Sequence, residues 1–213
     1  MNTPARPSRT HQRLRARRDL LQAASRLLKS GQPPTMEQVA EEAMVSRATA
    51  YRYFPSIEAL LVEAPLDVDA PDPGALFANS DSLSPEDRID KAEAALHAMT
   101  YRNEAQLRLL LAHAIKLPLE EADDRSTPRR QNRRIPLIEE ALAPIRDELD
   151  EPAFQRLCAA LAVYFGPEAM VVFEDVLQIP AREARGIKSW AVRALVRQAM
   201  EEGNTDRNRA RTT

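Results

Sequence analysis

Along most of this chain apolar residues recur every three or four positions, and the runs are punctuated by proline, glycine and capping residues. From about Thr10 to Lys29 the apolar positions are Leu14, Leu21, Ala24 and Leu28, flanked by Leu20 and Leu27, which predicts an amphipathic helix. Gly31 ends it, and Pro33-Pro34 bar its continuation. Thr35-Met36-Glu37-Gln38 has the form of a capping box, in which Thr accepts from a first-turn N–H and Gln reaches back. A short helix to Ala43 is expected there, then a tight turn at Met44-Val45. Ser46 is the N-cap of a third helix, Arg47 to Phe54, and Ser56 caps a fourth from Ile57 to Ala64.

Residues 65–84 hold Pro65, Pro71, Pro73, Gly74 and several Asp, and read as a linker. Ser84-Pro85-Glu86-Asp87 then opens a helix to about Arg102, with Pro at the first helical position and acids in the first turn. A further helix is expected from Glu104 to Lys116, then a polar loop over 118–128. Another spans roughly 129–149, with breaks or kinks at Pro136 and Pro144. The apolar-rich stretches 151–165 and 167–178 are separated by Gly166-Pro167, and a last amphipathic helix covers 181–201. Residues 1–8 read as a flexible arm. Nothing reads as a strand. The expected fold is all-α: a head over 1–64, a linker over 65–84, a larger helical body over 85–203, and a disordered tail over 204–213.

Composition narrows the classes. Only 5 of the 213 residues are Gly, which speaks against glycine-rich phosphate loops and turn-dense folds. The single cysteine, Cys158, excludes an intrachain disulfide and any CxxC zinc site. The longest apolar run, Leu157 to Phe165, is far short of a membrane span. No apolar stretch follows the Arg-rich beginning as in a secretory signal, so no membrane partner and a cytoplasmic location are expected. HExxH, SxxK, GxSxG, GxGxxG and the phosphate-binding P-loop pattern are all missing, so no enzyme, no cofactor and no metal are expected. His97 and His113 lie on separate expected helices with no second metal-binding pattern beside them.

Net charge is −2, but the charge is unevenly spread. Residues 1–54 carry ten basic and four acidic side chains, whereas 55–213 carry twenty and twenty-eight. A basic head on an acidic body points to a polyanion as the head's partner. Helix, short turn, helix, preceded by a basic helix, is the helix-turn-helix layout. Ala50, Tyr53, Phe54 and Ile57 follow i, i+3, i+4, i+7 and face a small core. Arg47, Ala48, Tyr51 and Arg52 then face away, with Thr49 at the edge: guanidiniums and hydroxyls suited to bases and phosphates, and a short residue for close approach.

The stretch Thr35 to Phe54 closely resembles the signature of the TetR (tetracycline-repressor-like) transcription regulators, T-x-x-x-[IV]-A-x-x-A-G-V-S-x-x-T-x-Y-x-[HY]-F followed by a helix with K-x-x-L. Thr35, Val39, Ala40, Ala43, Val45, Ser46, Thr49, Tyr51, Tyr53, Phe54 and Leu60 match. Two positions depart: Met44 stands where the turn glycine is usual, and Ile57 where a lysine is usual. The Arg-rich approach, Arg15, Arg17 and Arg18, is expected to replace the missing phosphate contact. The resemblance implies DNA contacts at Thr35, Ser46, Arg47, Ala48, Thr49, Tyr51, Arg52 and Tyr53. It also implies a homodimer on a pseudo-palindromic double-stranded operator, repression, and release by a small-molecule effector. The dimer contact is expected on two stripes: Val172, Phe173 and Val176, then Ile187, Trp190, Ala191, Ala194 and Leu195. Effector contacts are expected from His97, Met99, Tyr101, His113 and Tyr164. The competing reading is a helical interaction module that does not bind DNA.

Overall fold

The structure, a computed structural model, describes residues 9–28, 33–116 and 132–212. Among them every regular element is helical. The chain divides into two compact units: Met1–Asp69 with Arg108–Gln131, and Ala70–Leu107 with Asn132–Thr213.

The first unit opens with α1 (Arg9–Leu28), α2 (Met36–Glu42), α3 (Arg47–Tyr53) and α4 (Ile57–Asp69). Leu20, Leu21 and Ala24 of α1, Val39 and Ala40 of α2, Ala50 and Phe54, and Leu60 and Ala64 of α4 form one buried cluster. At about 25 cal/mol per Å² of apolar surface removed from water, such a cluster is what holds three short helices in place. Pro65 does not end α4 as expected. The helix continues to Asp69, with Leu66 fully buried, so packing outweighs the lost amide donor.

The turn between α2 and α3 carries the missing glycine. Met44 has φ +54°. Its N–H donates to the Glu41 carbonyl at 2.9 Å, and the Val45 N–H donates to Ala40 at 2.9 Å. That pair of bonds with a left-handed residue between them is the Schellman cap, which glycine adopts without strain. Met44 therefore bears a cost of about 1 kcal/mol. Its side chain, 93% exposed, recovers nothing by packing.

The second unit contains α5 (Pro73–Phe77), α6 (Pro85–Arg102), α8 (Arg134–Leu142), α9 (Glu151–Ala162), α10 (Pro167–Val171) and α11 (Ala181–Thr212), while α7 (Glu104–Lys116) runs across the boundary between the units. The expected linker is structured. Phe77 is buried beneath the guanidinium of Arg88, 4.4 Å from the ring centroid. Arg88 also donates to the carbonyls of Ser80 (3.2 Å), Glu140 (2.8 Å) and Ala141 (3.0 Å), two of them in the last turn of α8, where carbonyls lack helical partners. Residues 65–84 thus comprise the end of α4, α5 and a tied-down turn. The helix expected over 129–149 begins at Arg134; residues 129–131 are outside those described. Pro136 sits in its first turn, and Pro144 opens a 3-10 turn, Ala143–Glu148. Gly166, at φ +103°, lets the chain leave α9 for α10, and a Cβ there would meet Arg134 Nη2 at 2.9 Å. A π-type turn over Val172–Val176 follows α10. The expected tail, 204–213, is helical to Thr212: α11 runs on through Gly203 and Asn204.

Helices α6 and α11 share an ionic seam. Lys188 and Glu93, each about 1% exposed, meet with Nζ 2.5 Å from Oε1. Arg185 joins Glu93 (3.2 Å) and Asp90 (2.6 Å), and Arg193 joins Asp90 (3.0 Å) and Asp87 (2.8 Å). Burial pushes Glu93 up and Lys188 down, each towards its neutral form, and their mutual attraction opposes that. Removing one partner should leave the other charge buried without compensation, at a cost of about 3–5 kcal/mol. Glu93→Ala is expected to lower the denaturation midpoint sharply. Glu93→Leu combined with Lys188→Met is expected to recover most of the loss, and urea unfolding of the three proteins checks this.

Candidate nucleic-acid interface

The interface is built on α3, whose rotation is set from behind. Ala50 is fully buried and Phe54 is 2% exposed, while Tyr53 and Ile57 pack half-buried on the same cluster. Arg47, Ala48, Tyr51 and Arg52 are consequently exposed, with Thr49 half-buried at the edge. Ser46 caps α3: its Oγ accepts from the Thr49 N–H at 3.1 Å and lies 2.9 Å from the Thr49 hydroxyl. Thr35 caps α2 in a complete capping box, accepting from Gln38 N at 3.3 Å while its own N–H donates to Gln38 Oε1 at 2.8 Å. The Thr35 and Ser46 hydroxyls, two of those expected to touch DNA, are thus already engaged in capping. Tyr53, also expected there, packs on the head core with the Arg52 guanidinium 5.4 Å from its ring centroid. Ile57 packs on the core too, so the position where a lysine was expected turns inward.

The arginine-rich approach divides in two. Arg15 and Arg18 are exposed. Arg17 is not: its two guanidinium nitrogens bond both oxygens of Glu63 on α4 at 2.6 Å, and it lies over the Phe54 ring at 4.6 Å. Glu63 is 5% exposed, so this fork-on-fork pair ties α1 to α4 inside the head. Arg17 therefore cannot be grouped with its neighbours as a replacement phosphate contact. Sequence reasoning missed this clamp, though Glu63 lies three residues after Leu60 and one before Ala64, in the buried stripe of α4. It missed Glu37 as well, whose Oε1 is 2.8 Å from Nη1 of Arg47.

The other expected site residues lie in the body or on α7. Val172, Val176, Ile187 and Trp190 are exposed, but Phe173 and Ala191 turn into the chain's own core, and Ala194 and Leu195 are half-buried. Leu177 and Val163 are exposed as well. His97 and Tyr101 pack with ring centroids 4.4 Å apart and planes tilted by 40°, while Met99 is buried in the core and Tyr164 follows α9 half-buried. Burial, reinforced by Lys188 and Arg185, lowers His97 to about 4, so it is neutral at neutral pH. His113 lies on α7, and its side chain is outside those described. Arg134 is bound to the Ala162 carbonyl (3.0 Å) and Glu168 (2.7 Å). Among the described residues no group of His, Cys, Asp and Glu could hold a metal ion. No single described helix is long and apolar enough to cross a membrane. The Cys158 thiol is pushed up to about 11 by burial, which makes it a poor nucleophile.

A capped helix-turn-helix with an exposed Arg/Tyr face, carried ahead of a helical body, defines a DNA-binding regulator. Residues 20–64 match the model of the bacterial regulatory proteins, tetR family, and the match supports membership of that family. The match is to a family of DNA-binding transcription regulators, not of enzymes. No curated protein and no solved structure matches the chain.

Arg17→Ala is expected to break the buried fork on the Glu63 carboxylate, destabilising the protein by about 3 kcal/mol. Arg18→Ala is expected to leave the melting temperature within a degree or so, since exposed substitutions rarely exceed about 0.5 kcal/mol. Thermal melts followed by circular dichroism compare the two.

Proposed function

We propose that the protein is a repressor that binds a pseudo-palindromic operator as a homodimer and is released by a small-molecule effector. The observation that carries the first part is the exposed face of α3. Arg47, Tyr51 and Arg52 project from a helix whose rotation is fixed by buried Ala50 and Phe54. Arg47 and Arg52 supply bidentate donors for bases or phosphates, exposed Ala48 permits close approach, and Arg15 and Arg18 supply phosphate contacts ahead of them.

A seven-residue helix reads too few bases for specificity in a genome, so two heads on two half-sites are needed. The apolar patch in the body supports the pairing. Trp190, 73% exposed, stands with Ile187 on α11, and Val172, Val176 and Leu177 are exposed around the π-type turn. Exposed apolar side chains of this size are a liability for a lone chain and suit a self-complementary contact between copies. Occlusion of a promoter by the bound dimer is the simplest outcome, hence repression.

The effector would bind in the second unit around His97 and Tyr101, with Met99 and Tyr164 as further contacts; His113, on α7, was expected with them. The neutral imidazole and the aromatic pair beside the Glu93–Lys188 charges offer both an apolar face and polar anchors. To release DNA, the ligand must bind the geometry that does not fit the operator more tightly than the one that does.

Arg47→Ala and Tyr51→Ala are each expected to weaken the specific gel shift on operator DNA about tenfold while the protein stays folded. An unchanged shift in both would remove α3 as the reading element. Trp190→Asp is expected to convert the dimer to a monomer in sedimentation analysis; a dimer of unchanged stability would place the contact elsewhere.

A further inference from the structure

Glu37 presents a physical puzzle. It is half-exposed on the first turn of α2, beside the face that the function proposed above turns towards a polyanion. A carboxylate there repels phosphates, and an exposed ion pair adds little to stability. Its partner is Arg47, the first residue of α3, at the end from which a recognition helix reaches base edges.

The geometry around Arg47 offers an explanation. Nη1 lies 2.8 Å from Glu37 Oε1, and the guanidinium also stands over the Tyr51 ring, 5.4 Å from its centroid. The group is thus held from two sides, by α2 and by the next turn of α3. An unrestrained arginine at a DNA surface can pair with any nearby phosphate, which adds affinity for every sequence alike. One held in a fixed orientation gives up part of that contact and keeps its planar donor pair available for one base edge. We infer that Glu37 is a specificity-positioning residue, which acts through Arg47 by holding its guanidinium over Tyr51 and away from indiscriminate phosphate pairing. The inference rests on the DNA-reading role of α3 proposed above.

The test is a double-mutant cycle on the full-length protein. Wild type, Glu37→Gln, Arg47→Ala and the double variant are titrated, by fluorescence anisotropy, with two labelled duplexes. One carries the sequence that the wild type selects from a random library, and the other is scrambled. Glu37→Gln is expected to lower the ratio of the two affinities about tenfold, the discrimination of one bidentate base contact, mainly by tightening binding to the scrambled duplex. In the Arg47→Ala background the same substitution is expected to leave the ratio unchanged. An unchanged ratio in Glu37→Gln overturns the inference. An equal fall in both backgrounds overturns it too, because the carboxylate would then act directly on DNA. If the wild type selects no sequence, the DNA-reading function itself fails, and this inference fails with it. Melting curves of the four proteins, expected to coincide for wild type and Glu37→Gln, separate these outcomes from unfolding.

Discussion

Ala50 and Phe54 are buried against α1, α2 and α4, and the presentation of the exposed face of α3 follows from that burial. A seven-residue helix has too few hydrogen bonds to stand alone, so it exists only while one side is removed from water. With that side fixed, the 100° step between successive residues leaves no freedom for the rest: Arg47, Ala48, Tyr51 and Arg52 must face outward. Everything around the cluster keeps α3 at this rotation. The Schellman turn at Met44 sets the angle between α2 and α3, the hydroxyls of Thr35 and Ser46 close the two helix starts, and the Arg17–Glu63 fork holds α1 on α4. Met44 shows how strongly the fold requires that turn, since it is kept with a residue that pays a steric penalty there.

The charges follow two different logics. On the head, Arg15, Arg18 and Arg52 stay in water, where a polyanion can meet them. In the body, Glu93 and Lys188 are almost completely removed from water and are tolerable only as a pair, with Arg185 and Asp90 completing the seam between α6 and α11. A buried ionic seam of this kind contributes modest stability and a strict register, because sliding one helix along the other would strand several charges at once.

Much of the head could be read from the sequence, because its signals are local. The capping box at Thr35, the Ser46 cap, the i, i+3, i+4 spacing of Ala50, Tyr53 and Phe54, and the turn at Met44 each depend on neighbours within a few positions. The parts that could not be read depend on partners far along the chain. Arg17 looked like one more basic residue of the approach until Glu63, 46 positions later, proved to be its partner. Residues 65–84 looked like a linker because of their prolines, although Phe77 and the turn after it are held by Arg88, whose other acceptors lie in α8. Phe173 and Ala191 belong to apolar stripes, and a stripe alone does not say whether it meets the same chain or another. The seam left a trace that is visible in retrospect: Lys188 interrupts the stripe Ala184, Ala191, Val192, Val196, and Glu93 interrupts Ile89, Ala92, Leu96. A basic and an acidic intruder at the middle of two apolar stripes indicate that the stripes meet.

The central claim is that two copies of a head oriented by Ala50 and Phe54 read DNA together. Sequencing the duplexes that the full-length protein enriches from a random library tests it most directly. The account predicts an inverted repeat whose half-site centres lie about 10–10.5 base pairs, or a multiple of that, apart. Enrichment of a single unrepeated site, or of no site at all, would contradict it.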